Sequence, residues 1–318
     1  MIENLLLYGL LLIQGLLLAF LAPLSIGWIK MQKAWLQNKS APPITQPYAE
    51  LKKLLIKQPL VAEQASWLFL MAPYVYFACL LSLCFVVPFI WITGLATAFI
   101  GVIVIAGILT LARIFLVLAA MDIGTAFGSL GARREMFIAS LSEPVLLLIF
   151  LNASLLTQAT HLNIIGYFFI VHKGLYPGMI FSLLAFILVM LAETGRVPID
   201  NPATHLELTM VHEAMVLEYS GRYLALIEWG NAIKFIIYLL LLIVLFVPYG
   251  LSTSLGAGEA LLSIIAVLLK LMVLIGLVSL IESLNAKMRL FKVPEYLVGA
   301  FMLAVLGILL TQLLGVGV

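Results

Sequence analysis

The stretch that decides the fold class is residues 260–282, ALLSIIAVLLKLMVLIGLVSLIE, whose residues are apolar or small apart from Lys270 and Glu282. An α-helix needs roughly 20 apolar residues to cross about 30 Å of bilayer hydrocarbon, and this stretch has that length. Its apolar residues run continuously instead of alternating with polar ones, which favours a helix over a transmembrane β-strand. The stretch therefore predicts a membrane-spanning helix.

Segments of the same kind recur along the whole chain. Hydrophobic residues make up 64% of the 318 residues, charged residues make up 10%, and the mean hydropathy is +1.20. Soluble domains are about 45–50% apolar and about 25% charged, so this composition excludes a soluble protein and predicts a single membrane domain over residues 1–318. We predict an all-α polytopic membrane protein with eight transmembrane helices, at residues 4–26, 67–90, 94–121, 136–159, 164–192, 232–249, 260–282 and 295–316.

The basic residues indicate how the chain is oriented in the membrane. The connections that follow predicted spans 1, 3, 5 and 7 hold thirteen of the 17 lysines and arginines, whereas the opposite side holds Lys173. Because cytoplasmic loops carry an excess of Lys and Arg, both termini are predicted to lie outside the cytoplasm. The two long cytoplasmic connections are then residues 27–66 and residues 193–231.

The connection 27–66 contains an amphipathic stretch, YAELKKLLIKQPL, at residues 48–60. Leu51, Leu54 and Leu55 share one helical face, while Pro47 can begin a helix and Pro59 ends it. A short basic amphipathic helix of this kind is typical of the membrane interface. It either anchors the connection to lipid headgroups or lines the opening of a cavity between the spans and a docked partner.

The connection 193–231 is rich in carboxylates. Its first part, ETGRVPIDNPATHLELTMVHEAMVLEYSG at residues 193–221, holds a third of the 15 acidic residues of the chain. In a chain so poor in charge, this concentration indicates a site more than a solubilising loop. The five carboxylates are those of Glu193, Asp200, Glu207, Glu213 and Glu218.

Capping signals predict one helix over about residues 202–219, which begins after an Asn-Pro pair and stops at a Ser-Gly pair. The helix is either a solvated acidic face or half buried, and half burial would raise the pKa of its carboxylates towards a proton-exchanging range. His212 and Glu213 begin an HExxH-like pattern, but its last position is Val216, so a metalloprotease is excluded. The predicted helix places four residues along one stripe: Glu207, Val211, Ala214 and Glu218.

Charged residues within or at the ends of the spans are candidates for function, because a charge at the centre of a membrane helix costs at least about 2.5–3.5 kcal/mol. Arg113 and Glu143 are predicted to lie roughly 13 Å and 10 Å deep at about 1.5 Å per residue. Together with Glu193 and Lys234 they predict a polar chamber continuous with the acidic loop. The alternative is a set of isolated pairs, such as Arg113 with Glu143, that fix helix packing. Lys270 is predicted to lie deeper, without an obvious partner.

Three segments of the chain resemble one family of membrane proteins. They are the acidic loop quoted above, LARIFLVLAAMDIGTAFGSLGARREMFIASLSEPVLLLIF at residues 111–150, and QPYAELKKLLIK at residues 46–57. Together they resemble the subunit-one family of complex I, the membrane subunit of respiratory NADH dehydrogenase that lies at the quinone cavity. Within that family, the REM run at 134–136, the EP pair at 143–144 and the DNPATHLELT run at 200–209 are most similar to membrane subunits of energy-converting nickel–iron hydrogenases, including hydrogenase-4 and formate hydrogenlyase.

The resemblance implies a non-catalytic subunit of an oxidoreductase complex in a prokaryotic cytoplasmic (inner) membrane. The chain itself would hold no cofactor, and Cys79 and Cys84 are too few to ligate an iron–sulfur cluster in the usual way. The iron–sulfur clusters and the nickel–iron site would lie in soluble catalytic and iron–sulfur subunits docked on the cytoplasmic face. Antiporter-like membrane subunits and the lipid bilayer would be the other partners, and nucleic acid is not expected.

Matching positions of the family motif imply proton-pathway or coupling roles for a set of charged residues, to which Lys270 is added on the physical argument above. The set is Glu193, Arg196, Asp200, Glu207, Glu213, Glu218, Asp122, Arg113, Arg134, Glu143, Lys234 and Lys270. No catalytic residue and no metal ligand is predicted.

Three functions are compatible with these residues. The first is a membrane-anchoring and energy-coupling subunit of a hydrogenase or formate hydrogenlyase complex that links electron transfer to proton translocation. The second is the quinone-site subunit of a NADH or ferredoxin:quinone oxidoreductase, although NKSAPP at residues 38–43 differs from the arginine- and glycine-rich stretch of quinone-reducing relatives. The third is a stand-alone ion transporter.

Overall fold

The computed structural model describes residues 2–92, 101–200, 211–253 and 256–314, and these residues form helices joined by turns, with two isolated β-bridges and no strand. The predicted all-α class is therefore confirmed for the described part of the chain. In chain order the helices are α1 (Ile2–Leu36), α2 (Gln46–Ile56), α3 (Trp67–Val86), α4 (Val102–Asp122), α5 (Ala126–Thr157), α6 (Leu162–Val171), α7 (Pro177–Glu193), α8 (His212–Val216), α9 (Gly221–Phe246), α10 (Ala257–Leu284) and α11 (Val293–Leu313).

Seven of these helices are long and apolar enough to cross a membrane: α1, α3, α4, α5, α9, α10 and α11. They correspond to seven of the eight predicted spans. The predicted span at 164–192 is wrong as a single helix, because the chain there forms the ten-residue α6 and the 17-residue α7. The physical reason is Pro177 at the start of α7, which disfavours a helical conformation for the residue before it. Tyr176 is accordingly extended, with φ −101° and ψ 102°.

The connection that follows the first span begins later than the predicted residue 27. The helix α1 does not end near residue 26 but continues to Leu36 and is followed by Asn38 in the left-handed region, at φ 56°. Gly27 lets the chain after α1 fold back against the helix, because a Cβ at this position would overlap the carbonyl oxygen of Ile44. The predicted amphipathic helix is present as α2, with Pro47 in its first turn.

The predicted connection 193–231 is likewise too long, because α9 begins at Gly221 and not near residue 232. Gly221 has φ +54° and lies against the backbone of residues 57–59, so the chain can turn directly from α8 into α9. The helix α5 also begins ten residues earlier than predicted, at Ala126, where the Thr125 hydroxyl accepts a hydrogen bond from the Gly128 N–H. Residues 94–100 of the third predicted span lie outside the described residues.

The centre of the bundle is α9. Residues 232–245 are all buried, and α9 contacts α1, α2, α3, α6, α7 and α10. A helix that is apolar on every side belongs in the interior of a helical protein. Six helices pack around α9, and Lys234 on α9 must therefore find its partners inside the protein.

Candidate functional site

A cavity of about 660 Å³, which we call the main cavity, opens between the ends of α1 and α7 and the beginning of α9. The amphipathic helix α2 borders it through Leu51 and Leu54. The inner end of the cavity is charged, and the groups that line it there come from α4, α5, α7, α8, α9 and the loop after α7. They are Arg113, Glu135, Glu193, Asp200, His212 and Lys234.

Arg113 is the hub of this charged end, and only 5% of its side chain is exposed. Its Nη1 donates to Glu143 Oε1 at 2.8 Å, and its Nε lies 3.4 Å from Glu135 Oε1. Its Nη2 donates to Glu193 Oε2. One arginine of α4 therefore joins two carboxylates of α5 to the carboxylate that ends α7.

Glu193 ties α9 into the same set of contacts. The Nζ of Lys234 lies 3.3 Å from Glu193 Oε2, and the Ser142 hydroxyl donates to Glu193 Oε1. We call Arg113, Glu135, Glu143, Glu193 and Lys234 the arginine cluster. Because removing one partner of a buried ion pair leaves an uncompensated charge, such a cluster holds α4, α5, α7 and α9 in one arrangement.

Asp200 is the anchor of the loop after α7 and is 4% exposed. Its Oδ1 accepts a hydrogen bond from Lys287 Nζ at 2.8 Å, and its Oδ2 accepts from the backbone N–H groups of Val211 and His212 at 3.2 Å and 3.3 Å. Burial alone would raise the pKa of Asp200, but the hydrogen bonds from His212 and Lys287 outweigh it and hold that pKa below its usual range. The raised carboxylate pKa values expected of a half-buried helix over residues 202–219 are not found at Asp200, which lies before that helix.

His212 connects the Asp200 anchor to the arginine cluster. Its Nε2 lies 3.2 Å from Glu135 Oε2, and its Nδ1 lies 3.7 Å from Asp200 Oδ2. Burial favours the neutral imidazole, but the charge of Glu135 and the contact with Asp200 outweigh it, so the pKa of His212 is raised above its ordinary value. The imidazole is the one link at ion-pair distance between the two carboxylates among the described residues.

A second group of charges lies beside the main cavity, and we call it the Glu282 triad. The carboxylate of Glu282, with 1% of its side chain exposed, pairs with Lys33 of α1 and with Arg196, whose Nη1 donates at 2.9 Å. The guanidinium of Arg196 also lies over the ring of Phe235, at 3.9 Å from the ring centroid. The triad fastens α1, α10 and the loop after α7 to each other beside α9.

A second, smaller cavity of about 290 Å³ lies on the far side of Arg113, between α4 and α5. We call it the side cavity. Glu143 lines it and is the least buried carboxylate of the arginine cluster, with 31% of its side chain exposed. Arg113 and Glu193 line both cavities, so the arginine cluster forms the wall between them.

Comparison with known proteins assigns the chain to a family. The sequence profile of the family described as NADH dehydrogenase matches residues 8–312. The chain belongs to this family. The family resemblance inferred from the three quoted segments is therefore confirmed.

The chain is similar in sequence to several individual members of the NADH dehydrogenase family. The chain is 28% identical over 286 residues to formate hydrogenlyase subunit 4 of Escherichia coli K12, covering 89% of this chain and 92% of that protein. It is 30% identical to hydrogenase-4 component C of the same organism, covering 92% of both chains. A subunit of the NADH-quinone oxidoreductase of Rickettsia prowazekii is 30% identical over 220 residues, which cover 66% of this chain and 63% of that protein. With its seven apolar helices, the chain is a multi-pass protein of the inner membrane.

A solved structure supports the same fold. A chain of the membrane-bound sulfane sulfur reductase, an archaeal respiratory membrane complex, superposes with a TM-score of 0.80 over 95% of this chain and 98% of its own length, at 15% sequence identity. At this identity the likeness concerns the fold alone.

The structure brings together five of the residues singled out from the sequence of this NADH dehydrogenase family member and places a sixth in a separate group. Arg113, Glu143, Glu193 and Lys234 meet in the arginine cluster, Asp200 reaches it through His212, and Arg196 joins the Glu282 triad. The predicted Arg113–Glu143 pair is present, but it is not isolated, because Arg113 also contacts Glu135 and Glu193.

Other residues of the predicted set lie elsewhere. Asp122 accepts a hydrogen bond from the Ser66 N–H at 2.9 Å and so joins the end of α4 to the start of α3. Glu213 lines the main cavity, Arg134 lies on α5 beside Glu135, and Glu218 is exposed after α8. Glu207 lies outside the described residues.

The predicted helix over 202–219 is wrong in its described part. The helix α8 begins at His212 and ends at Val216, and the backbone N–H group of His212 is bound by Asp200. The predicted stripe fails as well, since Val211 and Ala214 are buried whereas Glu218 is exposed.

The sequence suggested that Lys270 has no obvious partner, but the structure gives it two. Its Nζ donates to the carbonyl oxygens of Val247, at 2.6 Å, and Tyr249, which follow the last turn of α9. These carbonyl groups lie at the end of α9 opposite to the main cavity. A lysine near the C-terminus of a helix stabilises its unpaired carbonyl groups and its dipole.

Four contributors were missed when the sequence was considered alone. They are Glu135, Lys33, Lys287 and Glu282, and the part played by His212 was left open. Glu135 carries a local signal, because it lies eight residues before Glu143 and so in the same stripe of a helix. Glu282 carries one as a charge at the end of an apolar stretch. The others are brought in by tertiary contacts between distant segments.

We expect replacement of Asp200 by asparagine to loosen the loop at neutral pH. Hydrogen bonds to a charged group contribute about 1.5–3 kcal/mol each, so the amides of Val211 and His212 should exchange roughly 10- to 150-fold faster. Because the pKa of folded Asp200 is lowered, its contribution is present above its ordinary value of about 3.9 and is lost as the pH falls through the folded value. Hydrogen exchange of the variant and the wild type should therefore differ at pH 7 and converge in acid.

The matched control is Asp122→Asn, which removes a carboxylate that binds a different backbone amide, that of Ser66. It should leave the exchange of Val211 and His212 unchanged. Equal protection of these two amides in the wild type and in Asp200→Asn at pH 7 would show that Asp200 does not hold the loop.

Proposed function

We propose that this chain is the membrane-anchoring and energy-coupling subunit of a complex I-like hydrogenase or formate hydrogenlyase complex. In this role it links electron transfer in a docked soluble subunit to proton translocation. Its similarity over most of its length to formate hydrogenlyase subunit 4 and hydrogenase-4 component C supports the type of complex. The coupling role is supported by the charged groups described above.

The observation that carries the proposal is the position of the arginine cluster between two cavities. On one side it faces the main cavity through Glu135 and Lys234, and on the other it reaches the side cavity through Glu143. Intramembrane ionisable groups are costly and mark ion pathways when they line cavities. A set of them between two openings is what proton transfer across half a membrane requires.

The physical link between electrons and protons is electrostatic. A unit charge that appears about 10 Å from a carboxylate, at an effective dielectric constant of about 20, changes its energy by about 1.7 kcal/mol. That is slightly more than one pKa unit, since one unit corresponds to about 1.4 kcal/mol. Electron transfer at a centre docked over the main cavity can therefore change which groups of the cluster hold protons.

The proposed partners follow from the exposed ends of the cluster. The soluble catalytic and iron–sulfur subunits would dock over the residues between α1 and α3 and between α7 and α9, on the cytoplasmic side. Glu143 is 31% exposed at the side cavity, which opens on the outer surface of α4 and α5. A carboxylate facing lipid is costly, so we place an antiporter-like membrane subunit against this surface.

The proposed arrangement in the membrane keeps eight crossings with both termini outside. The helix α7 serves as the eighth span, because its 17 residues reach roughly 26 Å at about 1.5 Å per residue. The cofactors are assigned to the partner subunits. Within the described residues there is no group of three or more His, Cys, Asp or Glu side chains that could hold a metal ion, and Cys79 and Cys84 are free thiols.

A second candidate function is quinone reduction by the same architecture. It is favoured by the apolar part of the main cavity, which is lined by Leu80, Leu109, Leu116 and Phe235 and is large enough for a ring headgroup. The similarity to the NADH-quinone oxidoreductase of Rickettsia prowazekii points in the same direction.

The purified complex separates these candidates. Hydrogen-dependent reduction of an artificial dye without added quinone, insensitive to quinone-site inhibitors, is the result we expect. Loss of turnover with such inhibitors would instead identify the quinone-reducing enzyme. The isolated chain in liposomes addresses the stand-alone transporter, and selective ion flux without any partner would contradict a coupling subunit.

A further inference from the structure

The rim of the main cavity carries two lysines without a carboxylate partner. Lys53 lies in the last turn of α2, Lys57 follows one turn later, and both line the cavity. Within the described part of the chain, neither ammonium group forms an ion pair or a hydrogen bond. The carboxylates at this rim are turned to Lys30 of α1 instead, since Glu50 lies 3.2 Å from its Nζ and Glu228 of α9 faces the same lysine. The end of α2 therefore offers two adjacent positive charges to a ligand.

The cavity wall beside the two lysines is apolar. Leu51 and Leu54 line it from α2, and Ile26 and Ile29 line it from α1. The volume of about 660 Å³ lies within the range of about 300–1,000 Å³ that is typical of sites for small molecules. A ligand that matches this part of the cavity combines an anionic group with an apolar chain.

The rim adjoins the lipid-facing side of the protein. The spanning helix α1 exposes 59% of Leu16 and 63% of Phe20. The helix α2 is attached to this side, because the ring centroid of Tyr48 lies 5.3 Å from that of Phe20 and the Tyr48 hydroxyl donates to the Phe20 carbonyl oxygen. On its outer side α2 exposes 75% of Ile56. A basic helix with an exposed apolar side lies in the membrane interface, so lipid headgroups are the anions next to the two lysines.

We propose that Lys53 and Lys57 bind the phosphate of one anionic phospholipid, whose acyl chain lies in the main cavity along the apolar residues of α1 and α2. Lysine binds phosphate as a point charge, and clusters of lysines next to membrane helices attract anionic lipids. A headgroup that carries its own cation fits less well beside two ammonium groups. The bound lipid closes the cavity between α1 and α2 and leaves its charged inner end to the docked partner. The inference goes beyond the proposed coupling function and does not depend on it.

The test measures lipid binding at this place in the whole complex. The complex is held in phosphatidylcholine nanodiscs with a minor fraction of phosphatidylglycerol that carries a photoactivatable group on one acyl chain. After illumination, mass spectrometry should find the label on the cavity-lining residues of α1 and α2, including Ile29 and Leu54. Photoactivatable phosphatidylcholine at the same fraction should label them less.

The decisive variant replaces both lysines by glutamine. Each lysine near an anionic lipid surface contributes roughly a fivefold change in binding, so labelling of the cavity should fall on the order of 25-fold in Lys53→Gln with Lys57→Gln. Both side chains are exposed, and the double variant should therefore keep the thermal midpoint of the wild type. A double variant with wild-type labelling would overturn the inference.

Neighbouring residues of α2 supply matched controls. Lys52 and Leu55 are exposed and line neither cavity. Lys52→Gln should leave the labelling unchanged, and Leu54→Gln should lower it whereas Leu55→Gln should not. An equal loss in Lys52→Gln and in the double lysine variant would show a general attraction to the membrane surface and would overturn the assigned site.

Two further measurements separate the lipid from other anions. An excess of inorganic phosphate should not displace the labelled lipid, because phosphate lacks the acyl chain, and displacement would identify a site for a soluble anion instead. The soluble subunits should stay bound to the double lysine variant. Their loss, with labelling of the cavity intact, would show that the lysines bind an acidic protein surface. Proton translocation and dye reduction by the wild-type complex test the proposed function separately.

Discussion

Replacing Arg113 by methionine should prevent a stable complex from accumulating in the membrane. The substitution leaves the carboxylates of Glu135 and Glu193 buried without their main counter-charge, at 4% and 2% side-chain exposure. Breaking a buried ion pair by removing one partner costs about 3–5 kcal/mol, which is a large part of the stability of a protein domain. The amount of complex and its thermal midpoint in mild detergent measure the effect.

Two further variants make this result interpretable. Arg113→Lys keeps the charge but cannot contact three carboxylates at once, so it should recover only part of the stability. Arg133→Met removes an exposed arginine from α5 and should change little. If the free energy of unfolding of Arg113→Met lies within about 1 kcal/mol of the wild-type value, the cluster does not hold these helices together.

The second large effect is expected at the contact between α7 and α11, where Gly307 packs against Gly178. A Cβ at Gly307 would lie 2.7 Å from the Ser182 hydroxyl and 2.8 Å from the carbonyl oxygen of Gly178. Small residues let membrane helices approach this closely. Gly307→Leu should therefore separate the helices and destabilise the folded chain by about 1–3 kcal/mol or more.

Gly299→Leu on the same helix is the matched control. A Cβ at Gly299 has nothing within 4 Å, and a leucine there replaces a poor helix former on an exposed face. This variant should melt at the wild-type temperature or slightly above it, because its free energy of unfolding should rise by at most about 1 kcal/mol. Equal melting of the two variants would mean that α7 and α11 are not in close contact in the protein.

The class of fold could be predicted from the sequence because each helix that crosses a bilayer needs roughly 20 consecutive apolar residues. Continuous apolar segments identified seven helices, but not where they end, since capping and close approach decide the ends. Gly27 and Gly221 extend α1 and α9 into the predicted connections through contacts with distant backbone. The break between α6 and α7 did have a local signal, in the proline at 177, which the length of the apolar stretch obscured.

Residues of the site could be predicted from the sequence only where a charged side chain in an apolar segment carries a free-energy cost of its own. Arg113, Glu143, Glu193 and Lys234 stand out as charges in apolar segments, and the structure brings them to one point. Asp200 and His212 stand out less, because their link depends on the fold of the loop between them. The partners Lys33 and Glu282 belong to the first and tenth helices, and no periodicity in either helix indicates the other.

The most direct test of the account is the number of protons moved for each electron transferred by the complex in proteoliposomes, compared between the wild type and Glu143→Gln. Glu143 is partly exposed at the side cavity, so the variant should assemble and reduce dye at the normal rate. We expect its proton translocation to fall to background, whereas Glu295→Gln, at an exposed carboxylate of α11, should behave as the wild type. An unchanged ratio in Glu143→Gln would contradict a proton route through the arginine cluster.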